Sequence, residues 1–154
     1  MEKSQTIKRG HKVIKELEVE DYPEIQTLWK LAGLSWRPEG RDHPDRILIQ
    51  LKRKYIFFLG EVVDDDLLGV IMVSHDGRKG WINRLAVHPE HRHKGIAQKL
   101  LEAAEDQLFQ TEGIEVCSAL IFDDNKPSLS LFEKVGYESW INVLYYSKRK
   151  RPEA

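Results

Sequence analysis

The sequence predicts an α/β domain built on one mixed sheet, and three observations carry that expectation. Apolar runs of strand length alternate with helical repeats in the order strand, two helices, three strands, helix, strand, helix, strand. Turn signals such as Asp76-Gly77, Gly113 and Gly136 fall between these elements rather than inside them. One stretch, Trp81 to Leu101 (WINRLAVHPEHRHKGIAQKLL), reads as a strand, a short basic loop and a long amphipathic helix. At 154 residues the chain suits a single domain, residues 1–154, with a sizeable core.

In chain order, residues 1–12 are polar and basic and read as a flexible tail. Val13 to Val19 suits a first strand. A helix follows, with Asp21 as its expected cap and Pro23 near its first turn. Ile25, Leu28, Trp29 and Ala32 form its apolar stripe, and Gly33 stops it. Leu34 to Pro44 (LSWRPEGRDHP) is broken by Pro38, Gly40 and Pro44 and crowds Trp36, Arg37, Glu39, Arg41, Asp42 and His43 together. Composition alone reads it as an exposed connector. Asp45 to Lys54 reads as a second helix, with Ile47, Leu48 and Leu51 on one side.

Tyr55 to Val63 and Leu67 to Ser74 read as strands joined by Asp64-Asp65-Asp66, a hairpin tip kept soluble by charge rather than a metal site. Asp76-Gly77 is a tight turn into the strand Trp81–Val87. His88-Pro89 stops that strand, because proline cannot donate to a ladder. The long helix runs from Gly95 to Glu112. Glu115 to Phe122 is the next strand and Lys126 to Gly136 the last helix, with Leu129, Phe132 and Val135 on its apolar side. Trp140 to Tyr146 closes the pattern as a final strand, and residues 148–154 form a basic tail.

The stretch at Gly95 carries the chemistry. Amides in the first turn of a helix have no partner inside it, and the macrodipole adds partial positive charge there. Gly95 lets the backbone approach a phosphate closely, and Arg92 and Lys94 add charge beside it. On physical grounds this is a phosphate site.

At these residues the chain resembles a known family. Arg92-His93-Lys94-Gly95-Ile96-Ala97 is similar to the R/Q-x-x-G-x-G/A signature of the GCN5-related N-acetyltransferases, and it follows a Leu85-Ala86-Val87 strand end. Asn125 to Tyr137 resembles the second signature of that family through Leu131, Glu133, Lys134, Gly136 and Tyr137. The resemblance implies one mixed, mostly antiparallel sheet of about seven strands with helices on both faces, its central strands splayed to form a cofactor cleft. It implies acetyl-CoA as cofactor and transfer to a primary amine. The main chain of Arg92, His93, Lys94, Gly95, Ile96 and Ala97 would hold the pyrophosphate. Leu85, Ala86 and Val87 would hold the pantetheine arm, and Asn125 would be a side-chain contact or a helix cap. The connector with Trp36, Arg37, Glu39, Arg41 and Asp42 would border an acceptor pocket reading both signs of charge. Paired protomers are common in the family.

The chain departs from the family where a general base or acid usually sits. Those positions hold Trp81, Leu120 and Phe132, none of which moves a proton. Asn83, placed on the face of Leu85 and Val87 by period-two alternation, is the candidate to hold a relay water. Tyr145, Tyr146 and Glu39 are the other groups of interest. The missing base leaves a second reading open, a CoA-binding regulatory module without catalysis.

Bulk composition narrows the rest. Lys and Arg total 24 against 25 Asp and Glu, a net charge of -1, which argues against general nucleic-acid binding. The lone Cys117 permits no internal disulfide and suits a reducing cytoplasm. No apolar stretch approaches membrane length, so no membrane partner is expected. His88, His91 and His93 lie on the phosphate loop and are not expected to bind metal. G-x-x-x-x-G-K-[ST] and G-x-G-x-x-G are both absent, which ranks a nucleotide-phosphate binder last.

Overall fold

The computed structural model of the chain describes residues 10–154. The expected tail at residues 1–12 therefore lies largely outside the described residues, and Lys12 already belongs to a strand. The elements are β1 (Lys12–Glu16), α1 (Tyr22–Leu31), α2 (Pro44–Gln50), β2 (Ile56–Val63), β3 (Asp66–His75), β4 (Gly80–Val87), α3 (Ile96–Phe109), β5 (Cys117–Ala119) and α4 (Lys126–Lys134). The sheet runs in the order β1-β2-β3-β4-β5. β1 to β4 pair antiparallel, and β5 joins β4 in parallel. The mixed, mostly antiparallel sheet is as expected, with five strands among the described residues where about seven were expected.

Two apolar clusters sandwich this sheet. Phe57, Leu59, Ile71, Val73 and Ile82 face α3 and α4 through Leu100, Leu101, Leu108 and Phe132. Phe58, Val70 and Ala86 face α1 and α2 through Ile25, Leu28, Trp29 and Ile47. Alternation along β2 sends Phe57 and Phe58 to opposite layers. Each fully buried side chain of this size contributes about 1.5–3 kcal/mol, so the two clusters hold the helices firmly against the sheet. At Gly69 a Cβ would lie 2.6 Å from Ile96 Cγ2 and 2.9 Å from Leu100 Cδ1. The absence of a side chain there lets the start of α3 sit directly on β3.

Local chemistry explains most boundaries, several of which move, and one expected element is absent among the described residues. The first strand ends at Glu16, because Val19–Asp21 folds into a 3₁₀ turn. Asp21 Oδ2 accepts from the Glu18 amide at 2.8 Å; Asp21 thus serves the turn and makes no side-chain cap on α1. The second helix is shorter than expected: it opens at Pro44 on a His43 cap and stops at Gln50. The expected strand Glu115–Phe122 shrinks to Cys117–Ala119. Trp140 to Tyr146 forms no strand; Ile141 and Asn142 make a turn closed by the Val143 amide on the Trp140 carbonyl at 3.3 Å, and the segment is exposed. The acidic turn behaves as a hairpin tip, since Asp64 and Asp65 both adopt positive φ (48° and 71°), the handedness a two-residue hairpin requires.

β4 carries one irregularity that shapes the site. Val70 pairs with Ala86 and Met72 with Asn83, so Arg84 and Leu85 together oppose Ile71 alone. This is a β-bulge, with Arg84 at φ 43°.

Candidate active site

The strand β4, its following loop and the start of α3 form one end of the site. His88 caps a short 3₁₀ turn at Pro89–His91 by accepting from the Glu90 amide at 3.2 Å. The chain then reverses through His93 (φ 60°) and Gly95 (φ 80°) before α3 begins. Gly95 is the N-cap of α3 and offers no side-chain cap, and the first turn holds no acidic residue. The first helical hydrogen bond runs from the Lys99 amide to the Gly95 carbonyl at 3.1 Å. The amides of Ile96, Ala97 and Gln98 are thus left for an external acceptor. Nothing lies within 4 Å of where a Gly95 Cβ would stand, so the space over these amides is open. Arg92, Lys94 and Lys99 have no carboxylate partner among the described residues. Open amides, a helix dipole and unpaired cations suit a diphosphate.

The second part of the site is a gap in the sheet. Parallel pairing between β4 and β5 covers only Gly80↔Cys117, Trp81↔Ser118 and Ile82↔Ala119. Beyond that point the strands diverge. Alternate backbone groups of Asn83 to Val87 on that edge meet no strand among the described residues. Leu120 and Phe122 continue from β5 as exposed side chains. Asn125 stands at the far end of this segment and caps α4, its Oδ1 accepting from the Ser128 amide at 3.3 Å. Two requirements of a pantetheine-bearing cofactor, an anion cradle and an unpaired strand edge, are met side by side.

The bulge corrects the expected face of Asn83. Ile82, Leu85 and Val87 pack toward the α3 layer. Asn83 pairs with Met72, which packs on the α1 layer. The extra residue breaks the period of two, so Asn83 does not share a face with Leu85 and Val87. Its Nδ2 donates to Ser74 Oγ at 3.3 Å and to the Trp81 carbonyl at 3.2 Å.

Arg84 is the residue that sequence reasoning missed. Its guanidinium donates to Asp42 Oδ2 and to the Ser35 carbonyl (3.2 Å) and stacks on the Trp29 ring at 4.9 Å. Burial lowers its pKa, and the Asp42 charge pulls it back up. Asp42 is buried, and its carboxylate also accepts from the Arg37 amide at 2.8 Å. Its main-chain carbonyl receives Trp36 Nε1 at 3.2 Å. Asp42 is therefore spent inside the connector and unavailable to a substrate. Trp36 and Arg37 are half-buried beside it, whereas Glu39 and Arg41 are exposed. An arginine, the one charged residue of the strand Gly80–Val87, was the available signal for Arg84.

Tyr145 and Tyr146 are exposed. Burial, then Asp42 and Asp45, raises the pKa of Tyr22, which keeps it protonated. Burial, then Glu105, pushes the Cys117 thiol up to about 11 and also raises the Tyr137 phenol. Among the described residues, no helix is long and apolar enough to cross a membrane.

Comparison with known proteins agrees with this geometry. Residues 14–137 match the model of the Acetyltransferase (GNAT) family. Acetyltransferase SG1711 of Sodalis glossinidius (strain morsitans) is 33% identical over 130 residues, covering 84% of this chain and 89% of that protein. The aminoglycoside N-acetyltransferase AAC(6')-Iy in complex with CoA superposes with a TM-score of 0.74 at 18% identity, covering 93% of this chain and 98% of the other. PaiA N-acetyltransferase from Thermoplasma acidophilum, in complex with coenzyme A, gives 0.74 at 24% identity over 83% and 90% of the two chains. A ribosomal-protein-alanine N-acetyltransferase from Brucella melitensis biovar Abortus 2308 gives 0.69 at 19% identity over 90% and 99%. The sequence matches and the cradle beside an open strand lead to one conclusion: the chain belongs to the Acetyltransferase (GNAT) family, the acetyl-CoA-dependent N-acetyltransferases.

Proposed function

We propose that this chain transfers acetyl directly from acetyl-CoA to a primary amine of low pKa, on a small molecule or a protein N-terminus. The observation that carries the reading is the amide cradle of α3 set beside the unpaired edge of β4. In this reading the main chain of Arg92 to Ala97 holds the diphosphate, and Leu85, Ala86 and Val87 pair with the pantetheine arm as a strand would. Asn125 keeps its capping bond through Oδ1 and has Nδ2 left to donate to the cofactor. Acetyl-CoA supplies the acyl group as an activated thioester. An amide at the Leu85–Val87 edge polarises the thioester carbonyl. The amine nitrogen would attack the thioester carbon, the C–N bond would form as the C–S bond breaks, coenzyme A would leave as its thiolate, and the amine proton, passed through a water held by Asn83, would protonate that thiolate.

The absence of a strong base selects the acceptor. At pH 7 an amine with a pKa near ~10.4 is about 0.04% neutral, and one near ~7.8 is about 15% neutral, a factor of roughly 400. Trp36, Arg37, Glu39 and Arg41 border the acceptor, and Asp42 supports them from inside. Similarity to aminoglycoside and ribosomal-protein-alanine N-acetyltransferases supports an amine acceptor of either kind. We take the working unit to be a homodimer in the cytoplasm; its one cysteine, Cys117, is a free thiol.

Calorimetry with acetyl-CoA followed by an amine panel at neutral pH tests the assignment. Micromolar binding and turnover of α-amines well above lysine side chains is the expected result. Binding without transfer to any amine would favour the regulatory module, and equal turnover of lysine side chains would refute the acceptor class.

A further inference from the structure

The connector between α1 and α2 is held by two separate parts of the chain. Arg84, at the bulge of β4, donates to Asp42 and to the Ser35 carbonyl at 3.2 Å. Residues 149–154 fold back onto the same connector. Arg151 Nη2 donates to the Glu39 carbonyl at 2.6 Å, and the Ala154 amide closes a turn on the Arg151 carbonyl at 3.1 Å. Arg149 donates to the Ala154 carbonyl and locks that turn. Gly40 is buried with the Glu153 carbonyl and Ala154 Cα against it, so closely that a Cβ there would collide with main chain.

This docking sets the charge around the connector. Asp42 is buried and paired with Arg84, so those two charges offset each other. What remains on the connector is Arg37 and Arg41 against Glu39. The folded-back segment adds Lys148, Arg149, Lys150 and Arg151 against Glu153. None of these six cations makes an ion pair among the described residues, and all but the half-buried Arg37 are exposed. Six cations against two carboxylates make a basic face on a chain whose net charge is -1. Sequence order hides this face, because Glu39 and Arg151 are 112 positions apart.

We propose that this face selects acceptors carrying carboxylates beside the reactive amine, as an acidic amino acid or the N-terminus of an acidic peptide does, and rejects polycationic amines. The proposal rests on the acetyl transfer and the acceptor border named under Proposed function, and it narrows the substrate class. Guanidinium and ammonium groups bind carboxylates through charge-assisted hydrogen bonds, and clusters of them read acidic motifs. A polycation approaching the connector would meet like charge. Exposed charges are screened beyond roughly 10 Å at 0.1 M salt, so the selection acts close to the connector and fades as salt rises. Nearby cations also disfavour the ammonium form of an amine, which suits a site without a strong base. Arg149 and Arg151 fasten the segment to itself and to Glu39. That leaves Lys148 and Lys150 as the specificity-determining pair.

Steady-state kinetics on the full chain test this with three peptides that share an N-terminal alanine: Ala-Glu-Glu, Ala-Gly-Gly amide and Ala-Lys-Lys amide. Free glutamate, spermidine and kanamycin complete the panel. At low salt kcat/KM should fall about tenfold at each step from the acidic to the neutral to the basic peptide, and the steps should shrink below about twofold near 0.5 M salt. Either free glutamate or the acidic peptide as the better acceptor supports the class and names its source. Lys148→Glu with Lys150→Glu, both at exposed positions, should raise KM for Ala-Glu-Glu about tenfold. KM for Ala-Gly-Gly amide and Kd for acetyl-CoA should stay within about twofold. Gly40→Ala changes no charge but pushes residues 153–154 off the connector, and it should weaken the same preference. Equal turnover of the three peptides would overturn the proposal, as would faster turnover of Ala-Lys-Lys amide, spermidine or kanamycin. So would a preference that the double lysine variant leaves unchanged. Calorimetry of the same peptides on the complex with coenzyme A reads the ranking without chemistry. Charge-ranked binding with no transfer would count against the activity and leave the acceptor class standing, whereas unranked binding would sink the class.

Discussion

Replacing Asp42 with alanine leaves the Arg84 guanidinium buried without a countercharge. The Asp42 and Arg84 side chains are 4% and 14% exposed, so solvent screens the loss little. Removing one member of a buried ion pair costs about 3–5 kcal/mol. Arg84 keeps the Ser35 carbonyl and the Trp29 face, which places the expected cost near the lower end, about 3 kcal/mol. For a domain of this size each kcal/mol moves Tm by about 2–4 °C, so the melting point should fall roughly 6–12 °C. The damage should also be directional. Asp42 ties the connector at residues 34–43 to the bulge of β4, whereas the diphosphate cradle stands on α3. Acceptor KM should therefore rise at least about tenfold while acetyl-CoA Kd changes less than about twofold. Thermal and urea unfolding of D42A, R84M and the double variant, with steady-state kinetics and calorimetry on each, checks this. The double variant should recover part of the loss, because no uncompensated charge remains. A cost below about 1 kcal/mol for D42A, or equal changes in KM and Kd, would refute the latch.

Three further outcomes are expected. Gly95→Glu places bulk and negative charge over the open amides at a left-handed position, at a stability cost of about 1–2 kcal/mol; acetyl-CoA binding should vanish in calorimetry while the far-ultraviolet spectrum stays native. Asn83→Ala should lower kcat by about ten- to a hundredfold with acetyl-CoA Kd unchanged, and an unaltered pH-rate profile and kcat would remove the water relay. Cys117, with its pKa raised from 9.0 to about 11, should react with a thiol reagent at pH 8 roughly a hundredfold more slowly than an ordinary cysteine, and denaturant should abolish the difference.

The sequence by itself determined what depends on neighbours along the chain. Period-two and helical repeats located all nine main elements within a few residues, and Gly33, Asp76-Gly77 and Gly95 marked turns because their conformations are set locally. The phosphate cradle was legible for the same reason: strand end, basic loop and helix start are contiguous, so their arrangement follows from one short stretch. Tertiary structure alone decided the rest. Arg84 meets Asp42 across 42 positions, and no local pattern announces which arginine will find which carboxylate. The bulge that moves Asn83 off the face of Leu85 comes from pairing with β3, and the early parting of β5 from β4 comes from sheet geometry. Trp140–Tyr146 has every local mark of a strand, yet a strand needs an edge to pair with, and where that edge lies is a property of the assembled fold.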